Sequence, residues 1–183
     1  MQSAQEGIEP LRQCADTIIV IPDQNLFRVA DDAFILADRL LYTGVGCVTD
    51  LIVKERLINL DFADVCAVMR GKGRAMMGTG QSMREGRAKA AADGANATPL
   101  FDETKMGGAK AVLVSISGGP DMPLFEVDEA ATRIREEVGG DADIVVGAIY
   151  DPVLKGMFRV CVVATGLQSL IVPSSSRDWS KGS

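Results

Sequence analysis

Histidine is absent from all 183 residues, and the four cysteines, Cys14, Cys47, Cys66 and Cys161, are scattered with no C-x-x-C pair among them. Imidazole catalysis is excluded, and the usual Cys/His zinc site is not encoded. The thiols read instead as buried structural groups of a reducing compartment. No stretch reaches the roughly 18 apolar residues of a membrane span, and the segment Met1 to Gly7 lacks a signal-peptide profile. These absences predict no direct membrane insertion and a cytoplasmic location, with a mitochondrial or plastid matrix as the alternative. An excess of positive charge is missing too: 19 Lys and Arg against 25 Asp and Glu leave a net charge of -6. Phosphate backbones need a concentrated basic face, so no nucleic acid partner is expected. The one basic cluster, Arg70, Lys72 and Arg74, reads as a solvated loop.

What is present suits a folded domain. Hydrophobic residues make up 47% of the chain and charged residues 24%, and a chain of this length buries about 70% of its unfolded surface. Thr17 to Ile21 is a β-branched run closed by Pro22, the pattern of a strand buried on both faces of a parallel sheet, whose partners are expected to lie outside this sequence. From Asp32 to about Lys54, Ala33, Ala37, Leu40, Leu41, Val48, Leu51 and Ile52 recur at helical intervals, predicting one long helix that loosens near Gly44 and Gly46. Strands then alternate with helices: strand Arg74 to Gly80, helix Met83 to Ala97, strand Ala109 to Ser117, helix Leu124 to Val138, and strands Asp143 to Tyr150 and Phe158 to Thr165. An α/β fold with a four-stranded mixed sheet and flanking helices follows, its last two strands antiparallel across the short Asp151-to-Met157 connection. Gly78 to Ser82 and Ser117 to Asp121 read as strand-to-helix turns; neither has phosphate-loop spacing or its lysine. The tail from Gln168, with Ser174, Ser175, Ser176 and Trp179, reads as disordered.

Between the long helix and the alternating region lies Asn59-Leu60-Asp61-Phe62-Ala63-Asp64. If Asp61 caps a helix starting at Phe62, Asp64 sits one turn along, and Asn59, Asp61 and Asp64 converge on one patch. Two carboxylates and an amide there can hold a hydrated cation or orient a water. The same D-x-x-D spacing also serves as an ordinary cap with an acidic first turn, and the residues alone leave both readings open.

The segment LINLDFADV (57–65) resembles the synergy loop of the FtsZ family, the tubulin-like bacterial division GTPases. DTIIVIP (16–22), GRAMMGTG (73–80), LFEVDEAA (124–131) and RVCVVATG (159–166) extend the resemblance from about Ile8 to about Leu167, with wording closest to alphaproteobacterial members. The resemblance implies a remnant of the nucleotide-binding half over 1–31, a central helix over 32–56, the acidic loop over 57–66, a C-terminal α/β domain over 67–167 and a tail over 168–183. It implies GTP or GDP as the nucleotide, held by a neighbouring subunit and met by Asp64, Asp61 and Asn59, with Mg²⁺ near Asp61 and Asp64. Phe34 and Asp38 match positions that stack on and hydrogen-bond guanine, and Asp23 matches a position near the ribose; Phe34 read without the family is a core aromatic. The phosphate-binding segment would precede Met1, so GTP hydrolysis is expected only with a nucleotide-bearing partner, either a second copy or a complementary half. Arg56 stands where the loop's leading glycine is usual, the link from Pro22 to Asp32 is short, and Gly94 and Asn96 interrupt a helix. Those departures keep a non-catalytic filament cap or scaffold beside the GTPase role.

Overall fold

Among the described residues six strands form one mixed sheet: β1 (Thr17–Ile19), β2 (Arg56–Ile58), β3 (Gly73–Ser82), β4 (Ala111–Gly118), β5 (Asp143–Tyr150) and β6 (Phe158–Leu167). The helices packed on it are α1 (Ala33–Val53), α2 (Phe62–Met69), α3 (Arg87–Asn96) and α4 (Leu124–Val138). The computed structural model describes residues 7–8, 10–11, 13–19, 33–58, 60–70, 73–83, 85–97 and 108–167. The strand order is β1-β3-β6-β4-β5-β2, with β1 parallel to β3, β4 parallel to β5, and the other neighbours antiparallel.

Alternation along the strands sorts the core into two layers. Val112, Val114 and Ile116 of β4, with Phe158, Val160 and Val162 of β6, face α3 and α4. Leu113 of β4, with Cys161 and Val163 of β6, faces α1 and α2. A strand that is apolar on both faces needs a helix layer on each side, which is why β4 and β6 hold the centre. α1 crosses the strands in sheet order. Gly44 lies against Met77 of β3, the Cys47 carbonyl accepts from the Ser115 hydroxyl of β4 at 3.3 Å, and Leu51 lies over Gly147 of β5.

The structure corrects several expectations. Among the described residues the sheet has six strands where four are expected, because the strand read at Thr17 joins it at one edge and Arg56–Ile58, too short to show a period, joins it at the other. The Thr17 strand has its partner within the chain: Thr17 pairs with Gly73 and Ile19 with Ala75. Arg56–Ile58 forms the opposite edge strand, in a span that the pattern divides between helix and loop. β5 and β6 run antiparallel as predicted, yet β4 lies between them. Gly118 pairs with both Tyr150 and Phe158, so the connecting turn spans two strand spacings, about 9.5 Å. α1 does not loosen at Gly44; a Cβ there would stand 2.0 Å from Met77 Sδ, so the glycine permits close helix-to-sheet contact rather than a break. Gly78 to Ser82 belongs to β3 and is not a turn. Of the cysteines, Cys47 and Cys161 are buried as expected, whereas Cys14 is exposed and Cys66 half-buried. The predicted disordered tail and the short Pro22-to-Asp32 link lie outside the described residues.

Candidate functional site

Leu60 carries the chain into the core and Asp61 brings it out. The Leu60 side chain is 6% exposed and packs with Leu51, Val65 and Ile149. Asp61 is the N-cap of α2, with φ -74° and ψ 139°, and its Oδ1 accepts from the Ala63 N–H at 3.4 Å. Its carbonyl accepts from the N–H of Asp64 at 3.0 Å and of Val65 at 3.3 Å. Asp64 stands in the first turn, and both carboxylates are exposed. Negative charge at a helix N-terminus is favoured by about 0.3–1 kcal/mol per group, so the two acids tolerate each other's company.

The far end of α2 is tied down, which leaves its N-terminus facing outward. Val65 and Val68 are buried against the sheet. The Thr165 hydroxyl donates to the Val68 carbonyl at 2.9 Å, and the Thr17 hydroxyl donates to the Met69 carbonyl. These bonds satisfy carbonyls that a helix leaves without internal partners.

Two cations secure the approach to the acidic pair. Lys54 Nζ lies 2.7 Å from Asp151 Oδ2 and 2.8 Å from Asp50 Oδ2. The hydrogen bond to Asp151, then that to Asp50, raises the Lys54 pKa, and Lys54 in turn holds Asp151 below the usual carboxylate range. Arg56 donates from Nη1 to the Leu60 carbonyl at 2.6 Å and from Nη2 to the Ile52 carbonyl at 3.0 Å. No described non-glycine residue has positive φ, so the backbone strain that an arginine would carry at a glycine position does not arise.

Asp61 and Asp64 are thus brought together on one helix end. Asn59 and Asp23 lie outside the described residues. Phe34 lies within α1, with its side chain outside the described set. Asp38 is exposed on α1, and fourteen residues of helix, about 21 Å, separate it from Ile52. Because Arg56 ties Ile52 to Leu60, that distance also keeps Asp38 far from the acidic pair. Among the described residues no group of three or more metal-ligating side chains forms. The turn at Ser117 to Asp121 holds a carboxylate where an anion cradle would need donors. Asp121 accepts from Arg87 Nη1 and from the Gly156 N–H at 3.1 Å, while Arg87 also binds Glu126 Oε2 at 2.8 Å.

Beside β2 lies an open groove of about 500 Å³, lined by Ile58, Leu124, Val127, Ala131, Ile144 and Val146 with Asp128 and Arg135. Leu57, Phe62, Leu124 and Phe125 are exposed by 47%, 57%, 63% and 70%. Sequence reasoning missed Arg56, Lys54, Asp151 and this groove. The Asp50 to Lys54 spacing is readable as an i,i+4 pair, but Asp151 lies 97 residues beyond Lys54, and no local signal could have joined them.

Comparison with known proteins gives these features a context. The family model described as FtsZ family, C-terminal domain, matches residues 73–168. Cell division protein FtsZ 2 of Rhizobium meliloti is 68% identical over 175 residues, covering 92% of this chain and 51% of its own length. Among solved structures, a point mutant of FtsZ from M. jannaschii superposes with TM-score 0.84 at 40% identity, covering 90% of this chain and 51% of that one. An empty FtsZ dimer from M. jannaschii superposes with TM-score 0.82 at 40% identity, covering 89% of this chain and 49% of that one. The chain therefore spans about half the length of each of these proteins.

Proposed function

The chain belongs to the FtsZ family, and from that premise we propose that it serves cell division by presenting Asp61, Asp64 and Asn59 to GTP bound on a neighbouring subunit of a filament. What supports the reading is the outward-facing acidic pair at the N-terminus of α2, beside the Ile52 end of α1, which lies about 21 Å of helix away from Asp38, the residue matched to base recognition. A single mononucleotide cannot reach both ends of α1, so the two sets serve different nucleotides, one per subunit contact. The exposed Leu57 and Phe62, which flank Asp61 in the chain, suit a face that docks onto another subunit. The FtsZ dimer among the solved structures concerns a relative of this chain.

In this scheme a water molecule donates a hydrogen bond to the Asp64 carboxylate, which takes up its proton as the oxygen attacks the γ-phosphorus and then passes it to the phosphate released. The bond from that phosphorus to the β-phosphate bridging oxygen breaks, leaving GDP and inorganic phosphate. Groups that hold a water in this way contribute about 10²- to 10⁴-fold. Asp61, committed to its cap, keeps Asp64 in place and offers a free carboxylate oxygen. Mg²⁺ typically takes one or two carboxylates and completes its shell with phosphate oxygens and water, so Asp61 and Asp64 fit as a partial ligand set. When bound there the ion would neutralise charge on the phosphates. Among the described residues no helix is long and apolar enough to cross a membrane, and we place the protein's action in the cytoplasm.

The deciding experiment adds this chain to a full-length family member that binds GTP but carries alanine for both of its own loop aspartates. Wild-type chain should raise GTP turnover, and Asp64→Ala should remove the increase. Equal turnover with the two would refute the catalytic role. A change in filament length or critical concentration without any change in turnover would favour a filament cap or scaffold instead.

A further inference from the structure

We propose that Arg56 is a positioning residue for the acidic pair, fixing Asp61 and Asp64 by bridging the end of α1 to the residue just before Asp61. The inference deepens the reading that this pair acts on a neighbour's nucleotide, and it rests on that reading. Arg56 is the first residue of edge strand β2, and the pairing of β2 with β5 slips between Arg56 and Ile58. Such irregularities re-aim a side chain. Here the guanidinium turns back toward the helix and the loop together. Its Nη2 meets the Ile52 carbonyl at 3.0 Å, one of the last four carbonyls of α1, which have no partner inside the helix and lie at its negative end. Its Nη1 meets the Leu60 carbonyl at 2.6 Å.

Leu60 is therefore held twice. Its side chain lies among Leu51, Val65 and Ile149 in the core, and its carbonyl is held by Arg56. The very next residue is Asp61, whose carbonyl and carboxylate organise the first turn of α2 and so the direction of Asp64. A planar fork with several donors can serve two carbonyls at once; a lysine ammonium in the same place is a single point that serves one well. Arg56 touches neither nucleotide nor water in this scheme. It acts through the backbone.

The test compares wild type, Arg56→Ala and Arg56→Lys in two measurements. Amide hydrogen exchange at Ala63, Asp64 and Val65 reads the order of the first turn directly. The second is GTP turnover by the loop-deficient full-length family member, titrated with each chain to separate maximal rate from half-saturating concentration. Arg56→Ala should exchange faster at those amides and lower the maximal rate by roughly tenfold, the scale of a small misplacement of reacting groups. Its half-saturating concentration should match wild type, and Arg56→Lys should fall between. A wild-type rate with Arg56→Ala, or unchanged exchange, would overturn the inference. A raised half-saturating concentration at full rate would also overturn it, by making Arg56 a docking contact. No stimulation by wild type itself would instead remove the reading beneath, leaving faster exchange in Arg56→Ala as the mark of a purely structural tie.

Discussion

Alanine at Gly80 and alanine at Gly94 should move stability in opposite directions, although the two glycines face each other where α3 lies on β3. A Cβ built on Gly80 would stand 2.0 Å from the Ala91 carbonyl oxygen, 2.5 Å from the Ala95 nitrogen and 2.8 Å from the Gly94 carbonyl carbon. All three are backbone atoms, so no rotamer change relieves the clash, and α3 would have to lift from the sheet. Ala88, Ala91, Ala92 and Ala95 are fully buried in that contact. A gap of about 0.5–1 Å forfeits a quarter to a half of each dispersion well, and overpacking of this kind costs about 1–3 kcal/mol. With backbone on both sides the upper end applies, about 3 kcal/mol, or a Tm lower by roughly 6–12 °C for a chain of this size. At Gly94 the nearest atom to an added Cβ is the Gly80 Cα at 3.4 Å, an ordinary contact. Replacing a helical glycine by alanine then gains about 0.5–1 kcal/mol. Urea unfolding of the three chains, compared at equal m, measures both effects. Gly80→Ala within about 0.5 kcal/mol of wild type, or Gly94→Ala less stable than wild type, would refute the account of how α3 is seated.

Two further outcomes are expected. Asp61→Ala should lose about 1 kcal/mol through the missing cap while Asp61→Asn keeps it, and equal losses measured by urea midpoint would show that charge rather than capping holds the turn. Stability should also depend on pH through Lys54 and Asp151. Asp151 has a folded pKa below its unfolded value, so its contribution is present above about pH 3.9 and fades as pH falls through the lower folded value. Lys54 has a raised folded pKa, so its contribution is complete below about pH 10.4 and fades as pH rises through the higher folded value. Urea midpoints from pH 7 to pH 3 should fall more steeply for wild type than for Lys54→Met, and parallel curves would remove the pair from the account.

How much of this was legible beforehand depended on length and locality. The expected bounds of α4 and β5, Leu124 to Val138 and Asp143 to Tyr150, coincide with the observed ones, because each carries enough turns or alternations to show its period. The N-cap at Asp61 was readable for the same reason, since a cap is a matter of a few consecutive residues. β2 was not, at three residues, and although the β-branched run from Thr17 announced β1 as a strand, nothing local pointed to its pairing with β3. Nor was the insertion of β4 between β5 and β6, because a short turn reports direction and says nothing of what lies between the strands it joins. Gly78 to Ser82 misled because glycine signals a turn in sequence, while in space Gly80 makes room for a helix backbone. Arg56 was noticed only as a departure from a usual glycine, and the two carbonyls within its reach are visible in space alone.

The path of α1 has a mechanical consequence. Gly44, Cys47 and Leu51 are seated in turn on β3, β4 and β5, and the helix then hands the chain to β2 at the sheet's edge. It is a crossbar bolted at three points, so the end where Lys54 and Arg56 sit is located by three strands at once. The aim of Asp64 is thereby referred to the sheet as a whole, through Arg56 and Leu60, and not to the nearest strand alone.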